Sequence, residues 1–179
     1  CYVLVPYSNE RMKQLQETTQ KNMYMIKAEK FLAEADMAER TGNFMGALEA
    51  YKYAYLMLEN IPNTTDTEEC RACIFEGFRQ LLQGLKWREE TVLSPISSSY
   101  GNRKYRFSAE LHFCTSNSGN GRSHTFMPVN IPVSFELVEG SGELTGSSAT
   151  TNLQGKVSID LVLTNKNKKN TIKYKVDLA

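Results

Sequence analysis

Residues 105–113 read YRFSAELHF, a strict alternation of apolar and polar side chains. Side chains of a β-strand point to two faces in turn, so this alternation predicts a strand with one apolar face. Further alternating stretches follow at residues 132–137, 156–163 and 171–178, separated by clusters of Gly, Asn and Ser. Short strands at this spacing are typical of an antiparallel β-sandwich, which we predict for residues 92–179.

Upstream of these strands the hydrophobic period is helical. No Pro or Gly occurs between residues 7 and 41, and Ser8 is a suitable helix cap. Gly42 and Asn43, which tolerate positive φ, end the segment. We predict one long amphipathic helix. Its apolar positions are Met12, Leu15, Met23, Ile26, Leu32, Ala35 and Ala38.

Two more helices are predicted before the strands begin. One starts at Phe44 and ends before Pro62, and the other spans about residues 67–86. The predicted fold class is therefore α+β with two segregated modules, an antiparallel helical hairpin or three-helix unit at residues 8–91 and the sandwich at residues 92–179. Residues 1–7 read as a terminal strand that belongs to a missing N-terminal domain.

The turn and second helix carry a known motif. Residues 42–54, GNFMGALEAYKYA, resemble the second half of a tetratricopeptide repeat. In this pattern the small residues Ala47 and Ala54 allow two helices to approach closely, and Phe44 and Tyr51 fill the gaps around them. One repeat cannot form the concave groove of a repeat array, so the resemblance implies a packed, TPR-like hairpin.

A second motif lies in the β module. Residues 131–144, IPVSFELVEGSGEL, and residues 150–157, TTNLQGKV, resemble the bacterial immunoglobulin-like domains of the invasin and intimin type. The resemblance implies an immunoglobulin-like β-sandwich that acts as a spacer or an adhesion surface, with no chemistry attached to the motif.

The start of the chain resembles multidomain bacterial envelope lipoproteins, in which a strand such as YVLVPYS leads directly into a long helix. This resemblance implies a lipid-anchored protein of the bacterial cell envelope, periplasmic or surface-exposed. It places any lipid anchor, and hence any membrane association, outside the present sequence. A cytoplasmic location stays open.

Charge argues against a nucleic-acid partner, because the net charge of the chain is only +1. Residues 1–92 contain 11 Lys and Arg against 14 Asp and Glu, whereas residues 93–179 contain 10 against 6. The basic residues of the loops are candidates for an interaction surface, together with a tyrosine predicted to point away from the helical core. The candidates are Tyr53, Arg122, Lys166, Lys168 and Lys169.

Candidate catalytic, cofactor and metal residues are not found. Cys70 and Cys73 form a lone C-x-x-C within a helical region, and no second ligand pair accompanies it. We interpret Cys73 as facing the helical core with Cys70 nearby. His112 alternates with apolar neighbours and is expected to be solvated, and His124 lies in a loop. We therefore expect no enzyme activity, no cofactor and no metal.

These observations predict a non-enzymatic structural or interaction module of a bacterial cell-envelope protein. Its partner would be another protein or the missing N-terminal domain. An alternative is a glycan-binding accessory module that uses the sandwich loops at residues 117–122 and 165–170. Sugar platforms need exposed aromatic rings, which these loops do not contain.

Overall fold

The computed structural model describes residues 8–59, 61–88, 92–98, 103–116, 123–163 and 170–178. These residues form three helices followed by strands in two antiparallel sheets, as the α+β prediction requires. The terminal strand predicted for residues 1–7 lies outside the described residues.

The helices begin and end close to the predicted positions. They are α1 (Asn9–Arg40), α2 (Phe44–Glu59) and α3 (Thr65–Gly84). Ser8 caps α1 as predicted, its hydroxyl accepting a hydrogen bond from the backbone N–H of Arg11 at 3.3 Å. Gly42 has a φ of 74°, a conformation that glycine adopts at little cost, and this explains why α1 ends before it.

Alanines mark the buried faces of α1 and α2. Ala28 and Ala35 on α1 and Ala47 and Ala54 on α2 are all 0% exposed, and each pair is seven residues apart on its helix. Seven residues are close to two helical turns, so each pair lies on one side of its helix. The prediction that Ala47 and Ala54 face the helical core is confirmed.

The apolar residues of α1 do not form a single face. Ala28 and Ala35 are buried, but five large apolar residues of α1 are between 47% and 68% exposed. Because successive residues turn by about 100°, these five lie on the side of α1 opposite the alanines. We call them the exposed stripe. Its members are Met12, Leu15, Met23, Ile26 and Met37.

The third helix begins and ends about two residues before its predicted bounds. Helical periodicity extended it to Lys86, but α3 ends at Gly84 and residues Leu85–Trp87 form strand β1. A Cβ at position 84 would lie 2.6 Å from the backbone carbonyl oxygen of Cys114. This close approach of the two backbones requires a glycine at position 84. Three residues are too few for alternation to reveal a strand in the sequence.

The strands that the alternation predicted are confirmed, and shorter ones join them. The described strands are β1 (Leu85–Trp87), β2 (Val92–Ser98), β3 (Arg103–Ser116), β4 (Ser123–Phe126), β5 (Pro132–Glu139), β6 (Gly142–Leu144), β7 (Ser148–Thr150), β8 (Lys156–Leu163) and β9 (Thr171–Val176).

The larger sheet is built around β3. Its N-terminal half lies between β2 and β8, with Tyr105 opposite both Pro95 and Leu161, and its C-terminal half lies between β1 and β4. Strand β6 extends the sheet beyond β8. The smaller sheet has the order β7-β5-β9. All of these ladders are antiparallel.

Side chains of both sheets share one core. The larger sheet contributes Phe107, and the smaller sheet contributes Phe135, whose ring centroid is 6.2 Å from that of Phe107. Tyr174 of β9 contacts Trp87 edge-on, with 4.8 Å between the ring centroids. The sole tryptophan of the chain therefore reports on this core. The other buried members are Ala109, Val133, Val157 and Ile159.

The chain divides into two compact units. Among the described residues, one unit comprises 8–41 and 45–81, and the other comprises 42–44 and those from 82 onward, so the division falls ten residues before the boundary predicted at 91/92. Phe44 belongs to the second unit, where its ring meets that of Phe113 edge-on with the centroids 5.4 Å apart. The predicted role of Phe44, filling a gap between the helices, is therefore not its main one.

Candidate interaction surface

Tyr53 is the one candidate interaction residue within the described part of the chain. Its side chain is 50% exposed, as predicted, and its ring lies 5.5 Å from that of Phe31, centroid to centroid. The pair joins the outer sides of α1 and α2. Leu56, one turn after Tyr53 on α2, is 41% exposed.

A second aromatic pair lies at the opposite edge of the exposed face of α2. Tyr55 contacts Phe75 of α3 edge-on, with 5.4 Å between the ring centroids. The sequence grouped Tyr55 with the buried Tyr51, but Tyr55 is 37% exposed and Phe75 is 58% exposed. Tyr53, Leu56, Tyr55 and Phe75 are thus exposed, and Phe31 lies partly buried beside Tyr53. These five residues are called the aromatic surface below.

The basic candidates cannot be placed. Arg122, Lys166, Lys168 and Lys169 lie outside the described residues. The interaction surface predicted around these four residues therefore stays a prediction.

Charged residues that the sequence did not single out form a network on the larger sheet. Asp160 lies on the face of this sheet that points away from the core. Nε of Arg106 is 2.9 Å from its Oδ1, and Nζ of Lys104 is 3.1 Å from its Oδ2. The hydrogen bond from Arg106, and then that from Lys104, lower the pKa of Asp160 below its ordinary value of 3.8. These pairs join β3 to β8, as neighbouring strands bring opposite charges together.

His112 belongs to the same face. Leu111 and Phe113 are 1% exposed and lie in the core, so the predicted orientation of His112 away from them is confirmed. Its imidazole is not freely solvated, however, because Nε2 lies 2.8 Å from Oε1 of Glu110. This hydrogen bond is the main reason that the pKa of Glu110 is lowered, and Arg88 adds to it.

The cysteine motif is oriented differently from the prediction. Cys73 is exposed and Cys70 is partly buried, because the inward positions of α3 run through Thr67, Cys70, Ile74 and Leu81. Burial raises the pKa of the Cys70 thiol, and the neighbouring Cys73 and Glu29 add to the shift. A raised pKa lowers the thiolate fraction and hence the reactivity of Cys70.

Within the described residues, no three His, Cys, Asp or Glu side chains are arranged so that they could hold a metal ion. No helix in the same part of the chain has both the length and the apolar character that a membrane span requires.

The sequence matches no protein-family profile, and no curated protein resembles it at a significant level. Among solved structures the chain is similar to the "D00-D0 domain of Intimin", with a TM-score of 0.32 and 24% sequence identity over 48% of this chain. The match covers 39% of that structure, so the chain spans well under half of its length.

Proposed function

We propose that this chain is a non-enzymatic interaction module of a bacterial cell-envelope protein, in which the helical unit binds a protein partner through the aromatic surface. The observation that carries the proposal is the exposure of Tyr53 beside Phe31 on the outer side of α1 and α2.

Exposed aromatic rings gain free energy when a partner removes them from water. Large aromatic side chains favour burial, and Tyr is enriched in the cores of protein interfaces because it combines apolar area with a hydroxyl. On the aromatic surface the two ring pairs flank Leu56, so a partner that covered α2 would bury all three groups at once. Exposed apolar patches of this kind are typical of binding sites.

We also propose finer descriptions of the two units. The helical unit is TPR-like, supported by the buried pairs Ala28 and Ala35 on α1 and Ala47 and Ala54 on α2. The β unit is an immunoglobulin-like sandwich, supported by the core that the two sheets share. The envelope location and the lipid anchor rest on the sequence resemblances alone.

The glycan-binding alternative stays a prediction. Both loops assigned to it, residues 117–122 and 165–170, lie almost wholly outside the described part of the chain, of which only Asn170 is included. Neither loop sequence contains an aromatic residue, which a sugar platform needs, and this favours the protein-binding proposal.

The test is capture of a partner by the purified chain from the envelope fraction of the source bacterium, with identification by mass spectrometry. The Tyr53→Ala variant should bind the identified partner at least tenfold more weakly, because interface tyrosines are often hot spots worth about 2 kcal/mol or more. The matched control is Leu153→Ala, which truncates an apolar side chain that is 77% exposed on the β unit.

Because Tyr53 is half exposed, its loss should leave the circular dichroism spectrum unchanged. Equal binding by the Tyr53→Ala variant and the parent, or equal weakening by Leu153→Ala, would contradict the proposal.

A further inference from the structure

The exposed stripe of α1 follows a regular interval. Met12 and Met23 are eleven residues apart, and Leu15, Ile26 and Met37 follow one another at the same interval. Eleven residues make three turns of an α-helix, so residues at this spacing stay on one side of it. The stripe therefore runs straight along about 38 Å of α1.

The first part of α1 has no packed face. Every residue from 9 to 20 is exposed, and Lys21 is the first residue of the helix that is partly buried. A helix of about twelve residues is marginal in water unless an apolar face packs against something. Residues 9–20 nevertheless carry Met12 and Leu15, which are 48% and 49% exposed.

We propose that the exposed stripe is the seam of an antiparallel dimer of this chain, in which α1 of one copy packs along α1 of a second copy. In such a pair the first turns of each α1 lie against the last turns of the other. The residues from 9 to 20, which have no packed face of their own, would then be covered by residues 29–40 of the second copy.

The order of side chains along the stripe fits this two-fold arrangement. When residue numbers of facing positions sum to about 49, Met12 faces Met37 of the second copy and Met23 faces Ile26 of the second copy. Leu15 faces the small, exposed Ala33. Large apolar side chains thus meet at both ends and at the centre of the seam, which is how helices in an antiparallel pair interlock.

Charges on the same side of α1 as the exposed stripe favour the antiparallel order over the parallel one. Lys30 lies on this side and pairs with Glu34 of its own helix at 3.7 Å. A parallel, in-register pair would place Lys30 against Lys30 and Glu34 against Glu34, and like charges in a helix seam are destabilising. The antiparallel order places Lys30 opposite the uncharged Thr19.

This seam is separate from the aromatic surface, because Phe31 lies about 120° around α1 from the stripe. Dimerisation and partner binding can therefore fail independently.

Sedimentation equilibrium of the full chain at micromolar concentrations tests the proposal. The parent should have about twice the chain mass of 20.3 kDa. Ile26→Lys should raise the dimer dissociation constant at least tenfold, because it places two cations beside the two-fold axis. Ile26 is 66% exposed, so the fold should be retained. The control Leu153→Lys introduces the same charge at an exposed apolar position of the β unit and should leave the dimer intact.

Disulfide trapping tests the antiparallel order. In a background with the native cysteines replaced by Ser, the double variant Met12→Cys/Met37→Cys should form a covalent dimer on oxidation, whereas Met12→Cys alone should not. The proposal is overturned if the parent is monomeric up to about 100 µM, a range in which many weak protein pairs associate. It is also overturned if Ile26→Lys associates as well as the parent does, or if Met12→Cys alone is trapped efficiently.

Discussion

The hydroxyl of Tyr51 donates a hydrogen bond to Oε1 of Glu39 at 2.7 Å, joining α2 to the last turns of α1. The ring of Tyr51 also lies against Gly77 of α3, where a Cβ would come within 2.6 Å of Cε1. One tyrosine thus connects all three helices, and position 77 has no room for a larger residue. Burial raises the pKa of Glu39, and the hydrogen bond from Tyr51 only partly offsets this effect.

Glu39 should make the helical unit less stable as the pH rises. Its folded-state pKa lies above the ordinary value of 4.5, so the folded chain holds the proton to a higher pH than the unfolded chain does. The stability that this group contributes is present below pH 4.5 and is lost as the pH rises through the raised value. Glu39→Gln keeps an acceptor for Tyr51 but does not titrate.

Urea unfolding followed by circular dichroism at pH 4 and pH 7 measures this effect. The stability of the parent relative to Glu39→Gln should fall between the two pH values. An unchanged difference would mean that the carboxyl group of Glu39 titrates normally in the fold.

Ala47→Leu should destabilise the helical unit. Ala47 is 0% exposed, and the added side chain has no space where α2 meets its neighbours. Overpacking of this kind costs about 1–3 kcal/mol. The matched control, Glu49→Ala, changes an exposed residue of the same helix and should change stability by less than about 0.5 kcal/mol. Thermal melts of the three proteins decide the matter, and equal melting temperatures would show that this face of α2 is not a helix contact.

Phe44→Ala should destabilise the β unit, although Phe44 is the first residue of a helix. Its ring is 2% exposed and packs edge-on against Phe113. Loss of a buried phenylalanine costs about 3–5 kcal/mol. Denaturant unfolding followed by the fluorescence of Trp87 reports on this unit. Phe75→Ala, at a ring that is 58% exposed, is the control and should leave the Trp87 transition in place. A Trp87 transition unaffected by Phe44→Ala would contradict the assignment of Phe44 to the β unit.

Asp160 should support the β unit at neutral pH and cease to do so in acid. Its pKa is held below 3.8, so its contribution is present above that value and is lost as the pH falls through the lowered folded-state pKa. Asp160→Asn should therefore be less stable than the parent at pH 7, with the difference shrinking below about pH 3.8. Urea unfolding followed by Trp87 fluorescence measures the stability of both proteins at each pH. A difference that did not change with pH would show that the Arg106 contact is not electrostatic.

The sequence predicts best those elements that are long enough to contain several repeats of their hydrophobic period. The alternation at residues 156–163 corresponds to β8 residue for residue, and α1 begins and ends within one residue of its caps. Strands β1, β6 and β7 each have three residues, too few to show a period, and they form because β3, β8 and β5 offer them a partner.

Periodicity also could not separate the two sides of α1. Ile26 and Ala35 both fit a helical pattern, but only the packed structure shows that Ile26 is exposed and Ala35 is buried. The exposure of Tyr53 was predictable because it lies two residues from Tyr51 on a helix, which places the two side chains about 200° apart. Glu110 and His112 lie two residues apart on β3, so alternation places both side chains on one face, but the 2.8 Å distance between Nε2 and Oε1 is seen only in the structure.

Site-specific photo-cross-linking in the cells that produce this chain tests whether the aromatic surface binds a protein. A photoreactive phenylalanine replaces Tyr53 in one strain and Leu153 in another, since both positions are at least half exposed. We expect a discrete covalent adduct with one protein from position 53 and none from position 153. No adduct from position 53, or the same adducts from both positions, would contradict the proposal.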